Sequence, residues 1–114
     1  MNFRFAKRED CALILYFIKE LASYEKMLDE VVADEKILEE WIFDKQKAEV
    51  VFVMENEKEV GFALFFHNFS TFLGRAGIYL EDLFVLPEFR KRGYGKALLK
   101  RLAAIAVELS LIHI

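Results

Sequence analysis

Cysteine is nearly absent: Cys11 is the only one in 114 residues. This excludes an intrachain disulfide framework and a cysteine-based zinc site, and it makes a reducing compartment the default. Proline occurs once and glycine five times in a chain that is 55% hydrophobic, which rules out collagen-like and low-complexity disordered classes. No apolar run approaches the roughly 18 residues of a membrane span. The nearest candidate, CALILYFI (residues 11–18), follows Glu9 and Asp10 and continues as a charged helical pattern, unlike a secretory leader. Positive charge is also short, with 16 Lys and Arg against 19 Asp and Glu, a net charge of −3 and a pI near 5.4. Such a balance argues against nucleic-acid binding through a basic surface and suits a cationic small molecule better. A single soluble, cytoplasmic domain with one core and no membrane contact is therefore expected.

The aromatic content, 15% with 12 Phe, is spread over segments with clear periods. Asn2 to Ala6 reads as a short strand. Asp10 is placed to cap a helix reaching about Tyr24 and Glu25, whose Ile14, Phe17, Ile18 and Leu21 share one face. Asp34 is placed to cap a second helix whose Ile37, Leu38, Trp41 and Ile42 share a face. The segments 48–55 and 59–68 flank the polar ENEK stretch as an antiparallel hairpin would, and residues 69–75 read as a loop. A strand from Ala76 to Leu86 ends at Pro87. A final helix then buries Leu98, Leu102, Ile105, Ala106 and Leu109. The expected order is βααβββα, an α/β (α+β) chain with a mostly antiparallel sheet flanked by helices. Residues 1–108 read as one domain. The tail SLIHI (110–114) carries no turn signal, and residues 109–114 read as truncated or foreign to the domain.

The densest chemical signal is RKRGYGK (residues 90–96), between the apolar strand and the last helix. Backbone N–H groups without intrahelical partners gather there beside Arg90, Lys91 and Arg92, an arrangement suited to an anionic diphosphate. Spacing excludes a Walker A loop, because Gly74 lies too far upstream and Ala97 replaces the hydroxyl residue after Lys96. A dinucleotide fingerprint fits poorly, with Leu98 where its third glycine belongs. What remains is R-x-x-G-x-G, formed by Arg90, Gly93 and Gly95. Upstream, Glu81 and Asp82 interrupt the apolar strand. The plainer alternatives are that these acids are surface charges on an edge strand and that RKR is a solvated helix entrance. His67 and His113 have no carboxylate or cysteine partner by spacing. Phe65, Phe66, Phe69 and Phe72 read as core or loop packing, with Phe72 available to line a channel, and Cys11 reads as a small apolar residue of the first helical turn.

R-x-x-G-x-G in a strand, loop and helix context resembles the acetyl-coenzyme A motif of the GCN5-related N-acetyltransferases. ELASYEKM (20–27) and GIYLEDLFVLPEFRKRGYGKALL (77–99) resemble the diamine, or spermidine/spermine, N-acetyltransferase branch. The resemblance implies that the backbone of Leu83, Phe84 and Val85 pairs with the pantetheine arm. It further implies that Lys91, Arg92, Gly93, Tyr94, Gly95 and Lys96 cradle the pyrophosphate, with Arg90 also binding the cofactor. Glu81 would serve as general base, and Tyr24, Glu25, Glu81 and Asp82 would seat a small amine substrate. A full-length homodimer is implied too, with a further strand, helix and hairpin following. The proton donor to the departing thiolate would lie in that further part, so turnover by these 114 residues alone is not expected.

The chemistry of the residues is consistent with these roles. A primary ammonium, with a pKa of about 10.4, must lose a proton before it can attack a thioester. A carboxylate with apolar neighbours can accept that proton directly or through water. A bulge near Glu81 and Asp82 would turn both toward one cleft, where Glu25 would add to their attraction for a polycation. Strand amides can stabilise the oxyanion, so neither a nucleophilic side chain nor a metal is required. The expected reaction is direct acetyl transfer to a diamine or polyamine. The alternatives are a lysine-like amino acid or protein amine as acceptor, or a non-catalytic coenzyme A-binding fragment.

Overall fold

Four strands and three main helices form the chain in a computed structural model that describes residues 1–108. The sequence-derived expectations for Leu109, for His113 and for the tail 109–114 lie outside the described residues. The strands are β1 (Asn2–Phe5), β2 (Glu49–Glu55), β3 (Lys58–Ser70) and β4 (Arg75–Val85). They form one antiparallel sheet in the order β1-β2-β3-β4. Helices α1 (Cys11–Tyr24), α2 (Glu35–Leu38) and α3 (Tyr94–Glu108) complete the expected order.

Alternation along β2 explains why VVFV is apolar without a break. Val50 and Phe52 face α1 and α2, packing with Ile14, Phe17, Leu38 and Ile42, while Val51 and Val53 face α3, packing with Leu98, Leu102 and Ile105. A strand covered on both faces has no solvent side for polar residues. Phe17 is the centre of the α1 layer, its ring 5.8 Å from that of Phe52 and 5.4 Å from that of Phe62. Fully burying each such ring contributes roughly 2 kcal/mol.

Several expectations are corrected. Asp10 does not cap α1: its carboxylate accepts hydrogen bonds from the Arg4 guanidinium at 2.7 and 2.9 Å and from the Lys7 N–H. A bidentate ionic partner outcompetes the amides of α1 here. Asp34 does cap α2, accepting from the Ile37 N–H at 2.8 Å. That helix then widens into a π-helical turn (Glu39–Asp44), so Leu38 and Ile42 are buried while Ile37 and Trp41 stay exposed. Trp41 instead carries the Lys45 ammonium 4.0 Å from its ring centre. The expected loop at 69–75 narrows to a turn over residues 71–74, since β3 and β4 remain paired out to Ser70 and Arg75. Phe69 and Phe72 are exposed near this hairpin's tip, Phe66 stacks on Tyr79, and only Phe65 of the four phenylalanines is core. His67 does have a carboxylate neighbour, Glu49, at 2.9 Å, brought from β2 by strand pairing.

Candidate active site

β4 is where the sheet opens. Its inner edge pairs with β3, whereas its outer edge has no strand partner among the described residues. Leu86 donates its N–H to the Val60 carbonyl at 2.9 Å. Alternation then turns the backbone groups of Phe84 toward β3 and those of Leu83 and Val85 toward the open edge. The Phe84 carbonyl confirms this direction: a Cβ added at Gly61 would lie 2.8 Å from its oxygen. Of the three residues expected to pair with a pantetheine arm, Leu83 and Val85 therefore present amides to the edge and Phe84 does not. Its ring instead packs in the α1 layer.

The register of β3 and β4 slips between Leu64 and Phe65: Leu64 faces Asp82, Phe65 faces Leu80, and Glu81 is the extra residue. This is the anticipated bulge. It leaves Glu81 exposed and Asp82 half-buried. The Asp82 carboxyl is pushed above the usual aspartate range, first by burial and then by the negative charges of Glu81 and Glu25. Three carboxylates therefore share one neighbourhood, drawn from a strand bulge and a helix end.

Glu25 is held there by the way α1 stops. Met27 N–H bonds to the Ala22 carbonyl and Lys26 N–H to the Ser23 carbonyl, with Lys26 at φ 59°. This is a Schellman termination with lysine where glycine is usual. It places Tyr24 and Glu25 at the rim of a groove of about 600 Å³ whose other lining includes Leu83, Phe84, Val85, Lys91, Gly93, Tyr94, Gly95 and Lys96. That size is ordinary for a small-molecule site. Leu21 and Phe89 also line it, and nothing in the sequence pattern distinguished them from core.

The turn into α3 supplies the groove's polar end. Lys91 and Gly93 take left-handed conformations, φ 66° and 83°. The first hydrogen bond into the helix comes from the Ala97 N–H to the Gly93 carbonyl, at 2.9 Å. The amides of Tyr94, Gly95 and Lys96 therefore precede any intrahelical acceptor. The arginines behave differently from the lysines. Arg90 lines the groove, but its Nε donates to the Val85 carbonyl at 2.9 Å and its guanidinium lies 4.2 Å from the Tyr24 ring centre and 4.9 Å from that of Phe84. It braces the α1 end against β4. Arg92 leaves the groove altogether and pairs with Glu55.

A family model described as acetyltransferase (GNAT) family matches residues 14–114. The chain belongs to the GNAT acetyltransferase family. Within that family it is 38% identical to thialysine N-epsilon-acetyltransferase of Bos taurus over 114 residues, covering 92% of this chain and 66% of the relative. It is 34% identical to human spermidine/spermine N(1)-acetyltransferase-like protein 1 over 112 residues, 91% of this chain and 16% of that protein. These matches place the GNAT chain in the spermidine/spermine acetyltransferase-like branch. A predicted acetyltransferase of Clostridium acetobutylicum solved with acetyl-CoA shares the fold, with a TM-score of 0.79 at 21% identity over 99% of this chain and 77% of that one. Among the described residues no cluster of His, Cys, Asp and Glu could hold a metal ion, and no helix is long and apolar enough to cross a membrane.

Proposed function

We propose that this domain transfers an acetyl group from acetyl-CoA to a primary amine of a small polyamine, diamine or lysine-like molecule. The observation that carries the reading is the continuity of the groove. Outward amides at Leu83 and Val85 lead directly to the unpartnered amides at Tyr94 to Lys96, and Glu25 on the groove's lining shares an electrostatic neighbourhood with Asp82 and Glu81, which do not themselves line the groove. An extended pantetheine arm adds to the strand edge as a further strand would, and the diphosphate takes the helix entrance with Lys91 and Lys96. The cationic amine is drawn to the carboxylates, relieving the like-charge crowding at Asp82. Glu81 accepts the ammonium proton directly or through a water, the amine attacks the thioester carbonyl, and an outward strand amide steadies the oxyanion. The C–S bond then breaks, coenzyme A leaves as its thiolate, and the amide nitrogen gives up its remaining extra proton to solvent or to the thiolate. The relatives named for thialysine and for spermidine/spermine support an acceptor with a flexible aminoalkyl chain.

The test, run on the full-length protein, is thiol release from acetyl-CoA with a panel of amines. Turnover is expected with diamines, spermidine and lysine analogues, with Glu81→Gln lowering kcat about 100-fold. Undiminished turnover by Glu81→Gln across the pH range would remove Glu81 as base, and no turnover with any primary amine would remove the reading.

A further inference from the structure

The groove's helix entrance is held in shape from outside the groove, by the last residue of β2. Glu55 closes β2 at a two-residue hairpin turn in which Asn56 takes φ 58°. Its carboxylate receives the Tyr94 hydroxyl and the Arg92 guanidinium, the latter at 3.1 Å. Arg92 and Tyr94 stand on either side of Gly93, so one carboxylate grips both flanks of the left-handed residue that starts the phosphate-facing turn. Phe89 completes the brace, with the Arg92 guanidinium 5.3 Å and the Lys58 ammonium 5.3 Å from its ring centre, and its ring centre 6.5 Å from that of Tyr94. The charges agree with the geometry: Glu55 is held below the usual glutamate range, first by the Tyr94 hydroxyl and then by Arg92, while Tyr94 is pushed up by the carboxylate it faces.

A turn with two left-handed residues is costly to organise at the moment of binding. Lys91 in particular occupies a region that side chains other than glycine, Asn and Asp rarely adopt. A turn already held open for an anion spares the ligand that ordering cost. We propose that Glu55 is a positioning residue for the cofactor's diphosphate: acting through Arg92 and Tyr94, it fixes the amides of residues 93–96, and Arg92 serves as its anchor rather than as a phosphate ligand. The inference rests on the functional reading above. It assigns a role to a strand-end residue distant in sequence and removes Arg92 from direct contact with the cofactor.

The experiment, in the full-length protein, compares acetyl-CoA with S-acetyl-pantetheine, which keeps the thioester and the arm but lacks the diphosphate. Glu55→Gln and Glu55→Ala are expected to raise KM for acetyl-CoA about tenfold with kcat little changed, the size of a lost charge-assisted contact. They should leave kcat/KM for S-acetyl-pantetheine unaltered. Arg92→Ala should reproduce this pattern, and the double variant Glu55→Ala with Arg92→Ala should be no worse than either single one. Equal losses with both thioesters, or additive losses in the double variant, would overturn the role given to Glu55 while leaving acetyl transfer standing. An unaltered protein that uses neither thioester would instead sink the functional reading, and this inference with it.

Discussion

Asp82 carries a stability cost that the proposed function turns to use in drawing a cationic amine. A carboxyl whose pKa is raised by folding holds its proton more tightly in the folded state than in the unfolded one. Stability therefore falls as pH climbs from the ordinary aspartate value of 3.8 through the raised one, and the deficit is complete above it. Asp82→Asn removes that deficit. Its melting temperature should exceed the parent's by a few degrees at pH 7, on the order set by domains of this size, and the gap should close near pH 3. The same variant should bind polyamines more weakly, because one of three clustered negative charges is gone. A melting temperature unchanged at neutral pH would mean that the carboxylate is better solvated than its burial implies. Sequence alone pointed to this neighbourhood because Glu81 and Asp82 break an apolar run. It favoured Glu81 as the carboxyl with apolar surroundings, whereas folding buries Asp82, since which of two adjacent residues turns inward depends on where the bulge falls. Glu55 was invisible for a different reason: its partners lie 37 and 39 residues away, and nothing local in ENEK announces them.

Among the elements, β4 is the one on which the site depends, and Gly61 on β3 sets how close it can lie. A Cβ at Gly61 would sit 2.8 Å from the Phe84 carbonyl and 3.1 Å from methyl groups of Val53 and Val85. Backbone and buried methyls leave no flexible atom to give way, so β4 must move. Gly61→Ala is expected to cost roughly 1–3 kcal/mol in denaturant unfolding. It should also weaken coenzyme A binding by more than a surface substitution of equal thermodynamic cost, because the shifted strand carries the outward amides of Leu83 and Val85. If stability fell but affinity held, the open edge would not be where the cofactor binds. The strands and helices themselves were legible because their hydrophobic periods are unambiguous: VVFV has apolar residues on both faces, and α1 repeats them at helical spacing. The departures arise where a tertiary partner wins over a local one. Asp10 prefers Arg4 to its own helix, and the wide turn after Leu38 rotates Trp41 into solvent.

For the molecule as a whole, the sheet is a partition with a helical layer on each side, and the groove lies along the outer edge of β4, between the end of α1 on one side and the start of α3 on the other. Arg4 ties β1 to Asp10, just ahead of α1, and to Glu59 on β3, so the start of the α1 layer is anchored to the sheet. Arg90 spans from the end of α1 to β4, and Glu55 holds the entrance of α3. Each wall of the groove thus has its own brace, none of which uses the N–H groups offered to a ligand, although Arg90 takes the Val85 carbonyl. The central claim is that this open edge and helix entrance are one binding surface for coenzyme A. An amide-resolved NMR titration of the labelled protein with coenzyme A tests it most directly. The account predicts saturable shifts concentrated at Leu83, Val85 and residues 93–96, with the amide of Phe84, committed to β3, moving much less. Shifts scattered over the surface, or none at saturating coenzyme A, would contradict it.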